Sequence, residues 1–219
     1  MITRTYVDGW RIQYEQYHKD PNLIMWYEDS ERESEHWLWK NALPDWNCID
    51  CGAHIGTSTL FLLHLCPKGE IFAYEPDSVN RSMLFRNIVH NERGERFLSK
   101  LHISDLALGD RAGFLEETLW LTGRNNEFGK TSGVYQFETL DRLMGTQYRN
   151  ISIDFIKIDV SGWDYKIFKG AGKLIERDRP AVITNCNYSE DVIKLLKKYE
   201  YTYHPIDNIN FLCLPEEWK

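Results

Sequence analysis

The sequence predicts an α/β fold built on a mostly parallel sheet with helices on both faces. Three observations carry that expectation. From residue 45 onward, short apolar runs alternate with stretches of helical periodicity. The first apolar run turns into a helix through a segment with two glycines, CIDCGAHIG at 48–56. The helices that follow carry start and stop residues where such a fold needs them.

Taken in order, residues 47–51 form the first strand of this series and 55–66 its helix. Pro67-Lys68-Gly69 stops that helix with C-terminal cap chemistry. Residues 71–74 form the next strand. Asp77 caps a helix running to about residue 90, with Met83, Leu84, Ile88 and Val89 at helical spacing. Residues 101–104 form a third strand. Residues 114–121 and 134–138 read as two strands around a polar loop, 122–133. That loop is glycine-hinged and long, the character of a substrate lid or of a plain hairpin tip. Residues 153–158 form a buried strand and 163–177 one helix. Pro180 leads into a strand at 181–186, then a helix at 190–199 and strands at 201–204 and 210–214. In such a sheet the carboxyl ends of the strands line one edge, where ligands bind.

Residues 1–46 have a different texture. They hold five of the eight tryptophans, Trp10, Trp26, Trp37, Trp39 and Trp46. Strand-like pieces at 5–7 and 11–14 precede a helix-leaning stretch at 30–43. This is an appendage expected to pack on a single globular unit at 47–219. Its tryptophans more often bury area than stack on a ligand.

The chain has 219 residues, enough for one core, with 26 basic and 33 acidic side chains. The net charge of −7 makes a nucleic acid an unfavourable partner. No charged and then apolar leader opens the sequence, and apolar runs such as 60–63 are far short of a membrane span. Five scattered cysteines suggest free thiols in a reducing, cytoplasmic setting.

The turn after the first strand is the informative element. Gly52 permits a positive φ or a close backbone approach, and Gly56 leaves room in the first helical turn. The helix N-terminus offers free N–H groups and partial positive charge, which suit a carboxylate or phosphate. Glu75 stands 25 residues after Asp50, at the end of the second strand. An acid there accepts hydrogen bonds from both hydroxyls of a ribose. The spacing Asp50-x-Gly52-x-x-x-Gly56 is not the dinucleotide pattern G-x-G-x-x-G. An acid before the first glycine repels a pyrophosphate but attracts an ammonium group. S-adenosylmethionine has an ammonium beside its carboxylate; a nicotinamide dinucleotide has none. Cys48 and Cys51 also invite a redox or metal reading, but Cys48 sits within the strand and no matching ligand pair follows. Two small buried residues is the preferred reading, with no metal.

The chain resembles the FkbM-type S-adenosylmethionine-dependent methyltransferases. The likeness lies in Ile49-Asp50-Cys51-Gly52-Ala53-His54-Ile55-Gly56, in Tyr74-Glu75-Pro76-Asp77, and in Thr139-Leu140-Asp141. It continues in Ile153-Asp154-Phe155-Ile156-Lys157-Ile158-Asp159-Val160, Gly162 and Lys169-Gly170-Ala171. Ala107-Leu108-Gly109-Asp110 also fits. The resemblance runs from about residue 45 to the C-terminus. It implies a Rossmann-like class I methyltransferase fold with an antiparallel C-terminal strand. It implies methyl transfer to a hydroxyl of a sugar, polyketide or other small molecule, with S-adenosylhomocysteine as product. On it, Asp50, Gly52, Ala53, His54 and Gly56 cradle the methionine end and Glu75, followed by Pro76, holds the ribose. Asp105, Leu106 and Ala107 lie beside the adenine. Asp159 faces the methionine and the acceptor, where it either binds cofactor or serves as base. The likeness departs at Ser161, where the family usually has Glu; the next acid is Asp164. A non-catalytic module of this fold and a nicotinamide-dependent oxidoreductase are the alternatives. Arg81, Arg86 and Arg142 read as solvated helix charges.

Overall fold

A computed structural model of the protein describes residues 2–6, 8–14, 32–91, 98–122, 128–160, 162–185, 190–207 and 210–218. The chain opens with a hairpin of β1 (Ile2–Thr5) and β2 (Arg11–Tyr14), and helix α1 (Arg32–Asn41) follows. Strand and helix then alternate through β3 (Cys48–Cys51), α2 (Thr57–Leu65), β4 (Ile71–Tyr74), α3 (Ser78–His90) and β5 (Leu101–Ser104). Next come β6 (Ala107–Leu108), β7 (Gly113–Thr122), β8 (Phe128–Glu138) and α4 (Leu140–Gly145). The chain closes with β9 (Phe155–Ile158), α5 (Asp164–Lys169), α6 (Gly172–Asp178), β10 (Ala181–Thr184), α7 (Glu190–Lys198), β11 (Tyr201–Pro205) and β12 (Phe211–Pro215).

Among the described residues, seven strands form one sheet in the order β11-β12-β10-β9-β3-β4-β5. The strands from β10 to β5 run parallel, and β12 is antiparallel to both β10 and β11. The expected fold class, with its antiparallel C-terminal strand, is therefore the observed one. Side chains alternate across the sheet. Cys48, Phe155 and Ile183 join the core under α2. Ile49, Cys51, Ile156 and Ile158 join the core on the opposite face.

Local chemistry explains the element ends. The Asp77 carboxylate accepts from the N–H groups of Val79 and Asn80, both at 2.9 Å, and so starts α3. The helix expected at 163–177 is two helices. The Asp141 carboxylate accepts from Lys173 N (2.8 Å) and Leu174 N (3.0 Å), which caps a new helix, α6, where one was expected to continue. Most of the expected loop at 122–133 is strand. Residues 128–133 pair with 117–122, and the ladder satisfies their backbone groups despite the glycines. Residues 123–127, Trp26, Ser161 and Cys186 lie outside the described residues.

The N-terminal hairpin is fastened to α2. The Tyr6 ring stacks on Phe61 at 4.5 Å, and its hydroxyl donates to the Thr57 carbonyl at 2.6 Å. Trp10 stacks on His64 at 4.2 Å, and Asp8 meets His64 at 2.6 Å. Asn91, just after α3, exchanges two hydrogen bonds of 3.1 Å with the Gln13 backbone. Arg4 pairs with Glu35 of α1, both buried.

Gly56 precedes α2 with φ +89°, and a Cβ there would stand 2.8 Å from Leu84 Cγ of α3. Packing of α2 on α3 requires the glycine there. Gly56→Ala combines a left-handed penalty of about 1–2 kcal/mol with that collision. For a chain of this size, thermal unfolding is expected about 4–8 °C lower than in wild type. An unchanged midpoint would show that α3 gives way at no cost.

Candidate active site

The direction of winding reverses at β3, which has β4 on one side and β9 on the other. This opens a crevice at the carboxyl ends of β3 and β9. Gly52 has φ +84°, and a Cβ on it would collide with the Asp159 carbonyl oxygen at the end of β9. Only glycine lets the turn lie that close. The N–H groups of Gly52 and Ala53 both donate to the Tyr74 carbonyl at 3.0 Å, binding the turn to β4. His54 is also left-handed, at φ +51°. The turn delivers α2, whose N-terminus has no side-chain cap.

Glu75 joins this turn to the next. Its Oε2 accepts from His54 N at 2.9 Å, while Oε1 accepts from Asp77 N at 2.9 Å and from Asn80 Nδ2 at 3.4 Å. Arg81, expected as a solvated charge, instead donates to the Glu75 carbonyl (2.8 Å) and the Pro76 carbonyl (3.1 Å). Glu75 is 4% exposed. Burial pushes its carboxyl up to about 7, against the pull of the N–H donors. Each carboxylate oxygen has further lone-pair capacity for a hydroxyl donor.

Beside Glu75 lies an apolar cleft. Its walls include four of the anticipated residues, Gly52, Pro76, Leu106 and Ala107, together with Phe137 and Trp163. Asp105 is exposed. Phe137 and Trp163 were missed because they arrive from β8 and from the start of α5, far apart in sequence. Their rings meet at 4.7 Å.

Asp50 is fully buried, and its Oδ2 accepts from Thr59 Oγ1 at 2.6 Å, bracing α2 against β3. Across the crevice, Asp159 Oδ2 accepts from Lys157 Nζ at 3.1 Å, and Oδ1 accepts from Asn185 Nδ2 at 3.4 Å. Burial alone would raise this carboxyl, but the Lys157 ammonium and the Asn185 amide hold it below the ordinary range. Asp164 behaves oppositely. Burial first, and then the Asp159 charge, push its carboxyl up to about 7, while Thr184 Oγ1 donates to it at 3.1 Å. Lys157 was not anticipated, although a lysine inside a buried strand was the available signal. Cys48 and Cys51 are buried thiols pushed up mainly by burial, unsuited to nucleophilic work.

The residues present fit S-adenosylmethionine: an apolar cleft for a base, a buried carboxylate at its edge for a ribose, and a helix N-terminus for a carboxylate. Residues 50–203 match the family model of the methyltransferase FkbM domain. No curated protein sequence matches the chain. Among solved structures, it is similar to the methyltransferase FkbM from Methylobacillus flagellatus KT. That match has 18% identity and a TM-score of 0.57, covering 80% of this chain and 44% of that one. The chain thus spans less than half the length of that relative. A candidate transferase from Pyrococcus horikoshii matches with 13% identity and a TM-score of 0.53, covering 97% and 69% of the two chains. A candidate rRNA methylase from Clostridium thermocellum matches with 9% identity and a TM-score of 0.51, covering 83% and 91%. At these identities the likeness shows the fold. Among the described residues, no helix is long and apolar enough to cross a membrane.

Asp164 supplies a pH test of this electrostatic arrangement. Its carboxyl binds a proton more tightly in the folded chain than in the unfolded one. Its favourable contribution is therefore full below the unfolded value and is lost as pH rises to about 7. Asp164→Asn cannot ionise. Relative to wild type, its thermal midpoint is expected to be more favourable at pH 8 than at pH 5. An equal difference at both pH values would contradict the assignment.

Proposed function

The chain belongs to the FkbM methyltransferase family, and from that premise we propose that it is an S-adenosylmethionine-dependent methyltransferase acting on a hydroxyl of a small molecule or sugar. The observation that carries this reading is the Glu75 joint. A buried carboxylate at the edge of an apolar cleft is the chemistry that selects a ribose beside an adenine. The family match favours this reading over the nicotinamide one; the departure at Ser161 is the one feature on the side of a non-catalytic module.

On this reading, Pro76, Leu106 and Ala107 flank the adenine, with Asp105 at the rim. Gly52, Ala53, His54 and Gly56 shape the turn that brings the α2 N-terminus to the methionine carboxylate. Asp50 holds α2 in place through Thr59 and supplies negative charge beneath the methionine ammonium. Bound S-adenosylmethionine would supply a methyl carbon on a sulfonium for transfer to the acceptor oxygen, with S-adenosylhomocysteine as the leaving product. Asp159 takes the acceptor's proton. Held ionised by Lys157, it is a weak base, but an oxygen that has gained a methyl is a far stronger acid than a carboxyl group. The Asp159 side chain is 26% exposed, which lets the proton pass on to water. Otherwise the acceleration comes from alignment of the oxygen with the methyl group. The net charge of −7 favours an acceptor that is not a polyanion. The cytoplasmic placement rests on the cysteine pattern of the sequence.

Calorimetric titration tests this. S-adenosylhomocysteine is expected to bind and a nicotinamide dinucleotide is not. Glu75→Ala removes hydrogen bonds to a charged acceptor, so its affinity for S-adenosylhomocysteine should fall about 10- to 100-fold. A folded variant with unchanged affinity would sink the ribose assignment. Ribose donors favour the ionised carboxylate and so pull its raised value down on binding. Affinity is then expected to strengthen from pH 5 to about 7 and to level off above. A flat profile over that range would contradict the role.

A further inference from the structure

Glu75 sits where its ionisation is opposed. Burial pushes its carboxyl up to about 7, and the Asp77 charge adds to the rise. Three donors pull the other way. Two are the main-chain N–H groups of His54 and Asp77, which almost any residue would supply. The third is the Asn80 amide, whose Nδ2 donates to Glu75 Oε1 at 3.4 Å. Asn80 is 3% exposed. Among the described residues, it is the one side chain that hydrogen-bonds this carboxylate.

Local chemistry aims Asn80 at the carboxylate. It stands at the third position of α3, where a Glu or Gln commonly reaches back to the N–H of the capping residue. Here that N–H, of Asp77, already donates to Glu75 Oε1, and Asp77 holds the Asn80 backbone N–H at 2.9 Å. The Asn80 side chain turns instead on the carboxylate itself. The charged and titratable groups around Glu75 are Asp77 and Arg81 of α3, Asp50 of β3, His54 in the turn after it and Asp105 after β5. Arg81 donates to the Glu75 and Pro76 carbonyls, His54 meets the carboxylate through its main chain, Thr59 donates to Asp50, and Asp105 is exposed.

We propose that Asn80 is a positioning residue for the cofactor: its amide keeps the Glu75 carboxylate ionised for the ribose, and so sets the pH range over which the site takes the nucleoside. The assignment rests on the methyltransferase reading above and adds the group that tunes its cofactor affinity. A hydrogen bond to a charged acceptor favours the charged form, so loss of the amide displaces the rise of affinity with pH to higher pH.

Calorimetric titration of the full chain with S-adenosylhomocysteine at pH 6 and pH 8.5 tests this. Asn80→Leu keeps the shape of the side chain and removes the donor. The Glu75 carboxyl then rises further, so less of it is ionised at pH 6, whereas at pH 8.5 it is ionised in both proteins. Relative to wild type at the same pH, affinity is expected to fall about three- to tenfold at pH 6 and less than about twofold at pH 8.5. Asn80→Ser, whose hydroxyl is too short to reach the carboxylate, should show the same dependence and decides if Asn80→Leu does not fold. An equal loss at both pH values marks a purely structural role, and no loss at either marks an idle contact; each result overturns the Asn80 assignment alone. Wild type whose affinity is flat from pH 5 to 7 overturns the ribose role of Glu75, and the Asn80 assignment with it. Wild type that does not bind S-adenosylhomocysteine at either pH overturns the methyltransferase reading itself.

Discussion

One buried carboxylate ties the site together. Glu75 accepts from the backbone of His54 in the turn after β3 and from the backbone of Asp77 at the start of α3. Two successive strand-to-helix turns are thereby fixed to one another at the edge of the cleft. Placing a carboxyl there works against its ionisation, which is why it is pushed up to about 7. Such a group is stabilised further by any ligand that brings hydroxyl donors to it. On the proposed function, that strained electrostatic position is what the hydroxyls of a ribose would relieve.

The rest of the site follows from how β3 and β9 sit side by side. Asp50 and Lys157 are register partners on the α2 face, so a negative and a positive group share a buried layer. Each is held by a second group, Thr59 for Asp50 and Asp159 for Lys157. Isolated charges at such depth would be prohibitive; satisfied ones fix geometry. Arg4 and Glu35 extend the pattern into the N-terminal segment, and the Tyr6–Phe61 and Trp10–His64 stacks seat that segment on α2.

Much of this was legible in the sequence where the signal is local. The alternation of strand and helix, the Asp77 cap and the glycine turn each depend on neighbouring residues, and each is present as expected. What could not be read depends on distant partners. Asp141 caps a helix that begins 31 residues later, and that distant cap turns the local glycines, Gly170 and Gly172, into a break between α5 and α6. The glycines and polar residues of 128–133 look like loop until the β7 ladder is known. Gly56 reads as room for a ligand or the sheet, and the element that fills that room is α3, through Leu84. The cleft walls from Phe137 and Trp163, and the clamp of Arg81 on Glu75 and Pro76, likewise arise from tertiary approach.

The most direct measurement is a crystal structure of the chain with S-adenosylhomocysteine. The account predicts the adenine between Pro76 and Leu106, and both ribose hydroxyls about 2.5–3.0 Å from the Glu75 carboxylate. A nucleoside seated elsewhere, or a Glu75 carboxylate that stays closed on the two turns with no ligand atom in reach, would contradict it.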